Sequence, residues 1–428
     1  MNRADWIHPL RKVGVEGEAV ALRLMRAILE GYRGPVAVRL WNGERLGSRS
    51  APATLVFHHP APLRELVLHG DLLRLAECHL NGLVDAEGDM EQLFDLVDYL
   101  AQRSWSWRER LRLLHLALQL PTEPDAGRHR EVAAHERLRA NSREAIAHHY
   151  DVGNDFYRLW LDPEMVYSCA YFASEDQPLD EAQRDKLDYI CRKLRLRPGM
   201  RLLDIGCGWG ALAIHAARRY GVVVDGITLS EQQCAHAQER VRREGLQDRV
   251  HIALRDYRDL PDAPAYDRIV SVGMFEHIGV KNFPVYFGKV RRLLREGGLF
   301  LNHGITNDTG WQDTPVSRFI NRYVFPDGEL ARISTVQEAM EDAGFEILDV
   351  ESLRPHYRLT LRHWVRNLEA AREAAVALVG EPVYRVWRLY MAGSAWYFGQ
   401  GSLNVYQVLA GPLYQRQPVG LRRDALYR

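Results

Sequence analysis

The stretch that most constrains this chain is an apolar run followed at once by three closely spaced glycines. Residues 200–205 are mostly apolar and predict a buried parallel strand, and 211–219 have the pattern of a helix. Between them the chain reads Asp204-Ile205-Gly206-Cys207-Gly208-Trp209-Gly210. Glycine is needed where the backbone turns sharply and approaches a ligand without a Cβ in the way. The stretch therefore predicts a ligand site at the carboxyl edge of a doubly wound sheet, facing a helix N-terminus.

The spacing of these glycines selects among ligands. The D-x-G-x-G-x-G pattern differs from the dinucleotide fingerprint, and it lacks the Lys-Ser/Thr pair of a phosphate-binding P-loop. A cofactor without phosphates is therefore favoured, and S-adenosylmethionine is the obvious candidate. The same glycines also fit a tight strand–helix turn that binds nothing, and the rest of the chain has to decide between the two.

Length and composition limit the classes of protein to consider. The chain has 428 residues, 46% hydrophobic and 26% charged, which predicts a globular protein of two or three domains. Lys+Arg and Asp+Glu number 56 each, so no overall field recruits nucleic acid, and any attraction to a membrane must be a local patch. The five cysteines lack metal or disulfide spacing, which predicts no metal site and a reducing compartment. With no signal peptide and no apolar span of ~18 residues, we expect a cytoplasmic protein, at most peripheral to a membrane.

Residues 1–120 predict a small α+β domain. Residues 17–32 have helical periodicity, and 36–41 and 54–58 predict strands with Asn42-Gly43 as a turn between them. Around residue 110, apolar side chains are interspersed with arginines: Trp105, Trp107, Leu111, Leu113, Leu114 and Leu118 with Arg103, Arg108, Arg110 and Arg112. This segment fits a basic amphipathic helix on a membrane or an interdomain helix with snorkelling arginines, of which we favour the second. The polar stretch 121–140 predicts a linker.

Residues 141–428 predict a second, larger domain. Asn141 and Glu144 have capping-box spacing. After the glycines, strands predicted at 222–227, 249–253, 267–272 and 298–303 alternate with helices at 230–244 and 281–294, which indicates a parallel sheet. Two more strands are predicted at 345–350 and 403–409. The long helical region 359–398 between them is an insertion that we expect to wall an apolar substrate cavity.

Several motifs follow one another in this region. Among them are Tyr-Asp-Val-Gly-Asn-Asp-Phe-Tyr (150–157), Leu-Asp-Ile-Gly-Cys-Gly-Trp-Gly (203–210), Gly-Ile-Thr-Leu-Ser-Glu-Gln-Gln (226–233) and Arg-Ile-Val-Ser-Val-Gly-Met-Phe-Glu-His-Ile-Gly (268–279). In this order they resemble the cyclopropane-fatty-acyl-phospholipid synthases, a family that includes the mycolic-acid cyclopropane synthases. The resemblance covers roughly 141–415. It implies a Rossmann-like class I methyltransferase sheet with a helical insertion, preceded by a small α+β domain that looks like the lipid-binding domain of bacterial members.

The resemblance also implies a reaction. A methylene group from S-adenosylmethionine is added across a cis double bond of an unsaturated phospholipid acyl chain. An alkene is a poor nucleophile, so the methyl group must be held close to it in a dry pocket. Methyl transfer leaves a carbocation, and a base then removes a proton so that the ring closes; in the family that base is bound bicarbonate. Peripheral membrane contact and a homodimer are expected as well.

Carried over residue by residue, the resemblance predicts two groups of site residues. The bicarbonate cradle comprises Cys169, Glu276, His303, Ile305 (through its backbone) and Tyr357. The residues expected to hold S-adenosylmethionine are Tyr167, Ser168, Asp204, Gly206, Cys207, Gly208, Trp209, Gly210, Thr228, Gln233, Asp256, Tyr257 and Arg258. Each of them singly also has a structural explanation, such as a buried cysteine or a helix cap. Asp225, the acid that a dinucleotide fold would place on a ribose, is left out because the family gives that position no special role.

Two departures from the family pattern bear on the prediction. Ser394 stands where members commonly have a cysteine, so that cysteine is not required if the chain is active. Gly304 stands where threonine is often found, which we expect to loosen the loop that carries Ile305. Three alternatives remain open: a C-methyltransferase that makes methyl- or methylene-branched acyl chains, a small-molecule amine N-methyltransferase, and a lipid-binding protein without activity.

Overall fold

The computed structural model describes residues 15–122, 152–325, 328–416 and 418–424. These residues form two compact units. Unit 1 contains 15–122 together with Asp313–Tyr323 and Glu381–Trp396, and unit 2 contains the described residues of 152–312, 324–380 and 397–424. The division differs from the predicted domains because two segments beyond residue 141 group with the N-terminal residues. Most of the predicted linker, the capping box at Asn141 and the start of the 150–157 motif lie outside the described residues.

The elements of the first part of the chain confirm a small α+β fold. They are α1 (Val15–Ile28), β1 (Val36–Arg39), β2 (Arg45–Leu46), β3 (Ala53–Phe57), α2 (Ala61–His69), α3 (Leu72–Leu80), β4 (Val84–Gly88), α4 (Leu93–Gln102) and α5 (Trp107–Ala117). The sheet order is β2-β1-β3-β4. The turn at Asn42-Gly43 joins β1 to the short β2, and β1 pairs with β3 in parallel. The predicted turn is confirmed, but it leads into β2 and not directly into β3, because a two-residue turn joins only antiparallel neighbours.

The second part of the chain alternates strands and helices. Its elements are α6 (Asn154–Arg158), α7 (Leu179–Lys193), β5 (Arg201–Ile205), α8 (Ala211–Tyr220), β6 (Val223–Thr228), α9 (Glu231–Arg243), β7 (Val250–Leu254), β8 (Tyr266–Val272), α10 (Phe283–Leu293), β9 (Leu294–Asn307), α11 (Pro315–Tyr323), α12 (Ile333–Asp342), β10 (Phe345–Ser352), α13 (Arg354–Ala370), α14 (Arg372–Gln400) and β11 (Leu403–Pro412). The predicted strands of this region are confirmed to within a few residues, except that β9 runs four residues beyond each end of the predicted 298–303.

The sheet of unit 2 has the order β10-β11-β9-β8-β5-β6-β7. β11 is antiparallel to both of its neighbours, and the other pairs are parallel. Alternate side chains of each strand face opposite layers of helices: Leu202 packs in a cluster with α7 and α8, whereas Leu203 packs in a cluster with α10. The sheet is therefore doubly wound, as predicted, and its carboxyl edge carries the glycine turn.

The predicted insertion at 359–398 divides between the two units. It forms α13 and α14, and α14 is interrupted at Gly380, whose φ of 81° lies outside the helical region. After that break, Glu381–Trp396 belong to unit 1, where Arg385 donates to Asp85 at 3.2 Å and Trp396 donates to Asp98 at 2.6 Å. Its expected role as the wall of a substrate cavity stays a prediction. None of the described helices is long and apolar enough to cross a membrane.

Candidate active site

The glycine turn after β5 adopts the backbone that its sequence requires. Gly206, Gly208 and Gly210 all have positive φ, at 83°, 54° and 82°. A Cβ at Gly210 would lie 3.1 Å from Ala237, so the turn is also tightly packed. The Trp209 indole donates to the Asn154 side chain at 2.7 Å. This bond ties the turn to α6 and leaves the N-terminus of α8 aimed at the carboxyl edge of the sheet.

Asp204 is the next-to-last residue of β5, and its carboxyl group is buried, with the residue 2% exposed. Burial raises its pKa from 3.8 to about 7, against the opposing field of the Lys186 ammonium. Within the described chain its Oδ2 has no hydrogen-bond partner. Lys186 is itself buried on α7, and its Nζ donates to the Ser168 hydroxyl at 2.9 Å. A buried acceptor beside a glycine turn suits a hydrogen-bond donor on a ligand.

The other predicted cofactor residues follow β6 and β7. Thr228 ends β6 and donates to the Gln233 side chain at 2.8 Å, which joins the end of the strand to the first turn of α9. Asp256 accepts from the backbone N–H of Arg258 at 2.9 Å and from its guanidinium at 2.6 Å. Asp225 lies inside β6 and is paired with Arg201 at 2.8 Å. That ion pair is consistent with leaving Asp225 out of the site.

The segment from Tyr167 to Phe172 is held between α7 and α13. The Tyr167 ring contacts Trp364 of α13, with centroids 5.2 Å apart. The Ser168 carbonyl accepts from Gln183 at 2.9 Å, and the Ala170 N–H donates to Thr360 at 3.0 Å. These contacts hold three predicted site residues, Tyr167, Ser168 and Cys169, in one segment, residues 167–172, which we call the strap.

Cys169 is 1% exposed, and burial raises the pKa of its thiol. The thiol contacts the carbonyl of Leu353 at 3.7 Å, and the same carbonyl accepts the backbone N–H of Tyr357 at 3.1 Å. The Tyr357 ring packs on Phe398, with centroids 4.7 Å apart. The structure therefore brings Cys169 and Tyr357 together at the start of α13, with Cys169 as a neutral thiol.

Glu276 follows β8 in a short 3₁₀ turn and is 5% exposed. Its Oε1 accepts the backbone N–H of Ile305 at 3.0 Å, whereas Oε2 has no partner in the described part of the chain. Burial raises the pKa of this carboxyl from 4.5 to about 7. A buried carboxyl group with this pKa exchanges a proton near neutral pH, as an acid–base group must.

Gly304 makes room for Glu276. A Cβ on Gly304 would lie 2.0 Å from the Phe275 ring and 2.9 Å from Glu276 Oε2. His303, Gly304 and Ile305 all lie within β9 and pair with β11, so the expectation of a loosened loop was wrong. The reason is that β11 fills the gap beside β9 and makes Gly304 part of a central strand.

His303 is 2% exposed, and burial together with the fields of Lys186 and Lys193 lowers its pKa well below the ordinary value. Its Nδ1 lies 3.3 Å from the side-chain nitrogen of Gln407, which is fully buried. The Nε2 atom is buried without a hydrogen-bond partner among the described residues. His303 thus contacts Gln407, and Glu276 contacts Ile305.

The polar residues that sequence reasoning missed are Gln183, Lys186 and Gln407. The field of Lys186 acts on the pKa values of Cys169, Asp204 and His303 together, so this ammonium is close to both predicted groups of site residues. The sequence contains a signal for Lys186, namely a polar residue on the apolar face of a helix. Gln183 and Lys186 fall on the apolar face of α7, whose other buried residues include Leu179, Leu187 and Ile190. Over the described residues, no three His, Cys, Asp or Glu side chains cluster as metal ligands.

The sheet of unit 2 is doubly wound, has seven strands of which one is antiparallel, and carries a glycine turn and a buried acid at its centre. This is the fold of class I methyltransferases that use S-adenosylmethionine. Residues 137–408 match the family model of mycolic acid cyclopropane synthetase, and the chain belongs to that family. The resemblance seen in the sequence is thereby confirmed.

Individual relatives agree with the family match. The chain is 43% identical, over 94% of its length and 98% of the relative's, to a probable fatty acid methyltransferase of Pseudomonas putida. It is 43% identical to the cyclopropane-fatty-acyl-phospholipid synthase of Escherichia coli K12, over 61% of this chain and 66% of that protein. A solved structure of mycolic acid cyclopropane synthase CmaA1, complexed with SAH and CTAB, matches with a TM-score of 0.60 and 38% identity, over 63% of this chain and 97% of that one.

Proposed function

We propose that this enzyme adds a methylene group to a cis double bond of an unsaturated phospholipid acyl chain and closes a cyclopropane ring, with bicarbonate as the base. Transfer to lipid acyl chains follows from the family. The finer proposal rests on two buried atoms, Glu276 Oε2 and His303 Nε2, that have no hydrogen-bond partner among the residues the structure describes. Buried polar atoms are costly unless a ligand or another group satisfies them.

The cofactor side of the site is built by the glycine turn and the strap. S-adenosylmethionine supplies an electrophilic methyl group. Asp204 offers an acceptor at the end of β5, and Ser168 is held by Lys186 beside it. Related structures support this cofactor, since CmaA1 was solved with SAH. The remaining residues proposed for this role are Tyr167, Gly206, Cys207, Gly208, Trp209, Gly210, Thr228, Gln233, Asp256, Tyr257 and Arg258.

The donor set beside the strap fits bicarbonate. This anion carries one O–H donor and several acceptor oxygens. Glu276 Oε2 is an acceptor for the O–H, and the neutral His303 imidazole has one N–H to donate. Bicarbonate would supply a base for the proton that leaves the new methyl group. Cys169 of the strap and Tyr357 of α13 are proposed to complete the cradle, and Ile305 contributes by holding Glu276 rather than through a free N–H.

A surface of unit 1 supports peripheral contact with a membrane. Trp107, Leu111, Leu114 and Leu118 repeat at helical spacing on α5, and three of them are more than half exposed, at 66%, 56% and 57% for Trp107, Leu111 and Leu118. The opposite face of α5 is buried through Leu113 and Leu116. Exposed arginines 108, 110 and 112 border the stripe. An apolar stripe flanked by arginines suits an anionic lipid surface.

The test is lipid analysis after incubating the purified protein with S-adenosylmethionine and vesicles that contain unsaturated phospholipid. We expect acyl chains heavier by one CH2 that no longer react as alkenes, and we expect the rate to fall when dissolved carbonate is removed. A gain of one CH2 with a retained double bond would rule out ring closure. Analytical ultracentrifugation of the same protein tests the expected homodimer.

A second candidate function is favoured by one observation. The Pseudomonas putida relative that covers nearly the whole chain is named a probable fatty acid methyltransferase. If this chain has a similar activity, its product carries a methyl or methylene branch. Whether the modified acyl chain still reacts as an alkene separates this outcome from ring closure. An amine N-methyltransferase would instead place labelled methyl groups in a water-soluble amine, and a protein without activity would label neither product.

A further inference from the structure

A row of polar side chains crosses three neighbouring strands of unit 2 beside the candidate site. His303 of β9 is the register partner of Gln407 of β11, which in turn is the partner of Glu351 of β10. Directly opposed residues on neighbouring strands place their side chains on the same face of a sheet. The three side chains therefore form one line, although they lie far apart in the sequence, at positions 303, 351 and 407.

Helix α7 covers this line with three polar residues of its own. Tyr189 donates to Glu351 at 2.6 Å, and Lys193 forms an ion pair with the same carboxylate. Lys193 also lies 3.4 Å from Asp349, and Lys186 sits two turns earlier on the helix. The charged groups that face His303 are therefore these two ammonium groups. Of the two, Lys193 is paired with Glu351 and Asp349.

The contact of Gln407 with His303 has a consequence for the imidazole. Gln407 Nε2 lies 3.3 Å from His303 Nδ1, and both residues are buried. In this orientation of the amide, whose Oε1 has no hydrogen-bond partner among the described residues, the nitrogen that faces the ring can only donate, so Nδ1 carries the lone pair. Burial and the two lysines disfavour the charged imidazolium. The single ring proton then resides on Nε2, the atom that has no partner among the described residues.

We propose that Gln407 is a positioning residue that fixes the tautomer of His303, so that the buried Nε2–H is held ready to donate a hydrogen bond to an anion in the site. Binding of an anion rests on the proposed function, whereas the tautomer assignment does not depend on that function. The opposite amide orientation would turn Gln407 Oε1 toward Nδ1–H and leave a lone pair on Nε2. In that arrangement His303 repels an anionic oxygen instead of binding it.

The direct test is NMR of the full-length protein with ¹⁵N-labelled histidine rings, with the His303 signals assigned by their loss in His303→Gln. We expect the proton on Nε2 in the wild-type protein. In Gln407→Glu the carboxylate accepts from Nδ1–H, so the proton should move to Nδ1. In Gln407→Met, which has a similar size and no donor, we expect both tautomers. A wild-type proton on Nδ1, or no change in either variant, would overturn the proposal.

Turnover supplies the second readout. For Gln407→Glu we expect kcat to fall by about 100-fold or more, as wrong-tautomer histidines do elsewhere, with the KM for S-adenosylmethionine changed less than about twofold. For Gln407→Met we expect a smaller fall in kcat, because the Nε2–H tautomer is still populated. Gln238→Glu makes the same chemical change on the exposed face of α9 and should leave turnover unaltered.

The two readouts separate this proposal from the function on which it partly rests. If the wild-type protein modifies no lipid but carries its proton on Nε2, the proposed function fails and the tautomer assignment stands. If lipid is modified and Gln407→Glu shifts the proton without lowering kcat, the positioning role is refuted.

Discussion

Replacing Glu276 with Gln should have opposite effects on stability and on product formation. Burial raises the pKa of this carboxyl from 4.5 to about 7. Because the folded state binds the proton more tightly than the unfolded state does, the folded state loses stability as the pH rises between these two values. At about 1.4 kcal/mol per pH unit, the ionised carboxylate costs about 3 kcal/mol at pH 8 and under about 1 kcal/mol at pH 5.

Gln removes this charge and keeps the local geometry. Its side-chain oxygen can accept the Ile305 N–H as Oε1 does now, at 3.0 Å. We therefore expect the free energy of unfolding of Glu276→Gln to exceed that of the wild type by about 3 kcal/mol at pH 8 and by under about 1 kcal/mol at pH 5. Product formation should fall by about 100-fold or more, because the acid–base group is gone.

The assay is urea unfolding of both proteins at the two pH values. Taking the difference between variant and wild type at each pH cancels the groups that the two proteins share, including those of unit 1. Glu346→Gln is the matched control, since Glu346 is an exposed carboxylate on β10, and its difference should not change with pH. A pH-independent difference for Glu276→Gln, or a less stable variant at pH 8, would show that a partner compensates the carboxylate and would refute the reasoning.

Three further predictions concern Gly304, the two acids of β5 and β6, and α5. Gly304→Thr should lower the free energy of unfolding by about 2–3 kcal/mol, and with it the unfolding temperature, because the new Cβ would overlap the Phe275 ring. Gly288→Ala, whose Cβ would meet only the tip of Arg292, should leave the unfolding temperature unchanged. By calorimetry, Asp204→Asn should weaken S-adenosylmethionine binding about tenfold or more. Asp225→Asn, which weakens contacts with Arg201 and Tyr266, should change that binding less than about twofold. Replacing Trp107, Leu111 and Leu118 together by Ser should lower co-sedimentation with anionic vesicles about tenfold. Val285→Ser, which replaces another exposed apolar residue, is the control. If both variants sediment equally with the vesicles, a membrane role for α5 is contradicted.

The local elements of unit 2 could be predicted from the sequence because their signals are local. The apolar run before Gly206 and the helical period after Gly210 are short-range patterns that set backbone conformation directly. The alternation of strands and helices then leaves a doubly wound sheet as the simplest arrangement. The predicted sheet and glycine turn are confirmed on this basis.

Contacts between distant residues could not be predicted in the same way. The bond from Ile305 to Glu276 depends on where β9 passes the turn after β8, and the contact of Gln407 with His303 depends on the register of β9 against β11. Neither spacing is encoded near the residues involved. The grouping of Glu381–Trp396 with unit 1 likewise depends on the helix break at Gly380 and on partners such as Asp85 and Asp98.

The sequence by itself determined the order of the elements, the glycine turn and the family, because each is written in contiguous residues. Only the tertiary structure decided the state of the chemical groups. Glu276 and Asp204 are ordinary carboxyl groups in the sequence, and burial gives both a pKa near 7. Lys186 is an ordinary helix residue until folding places its ammonium beside Cys169, Asp204 and His303. Desolvation and neighbouring charge arise only when distant segments exclude water from one another, and for that reason they cannot be read from local pattern.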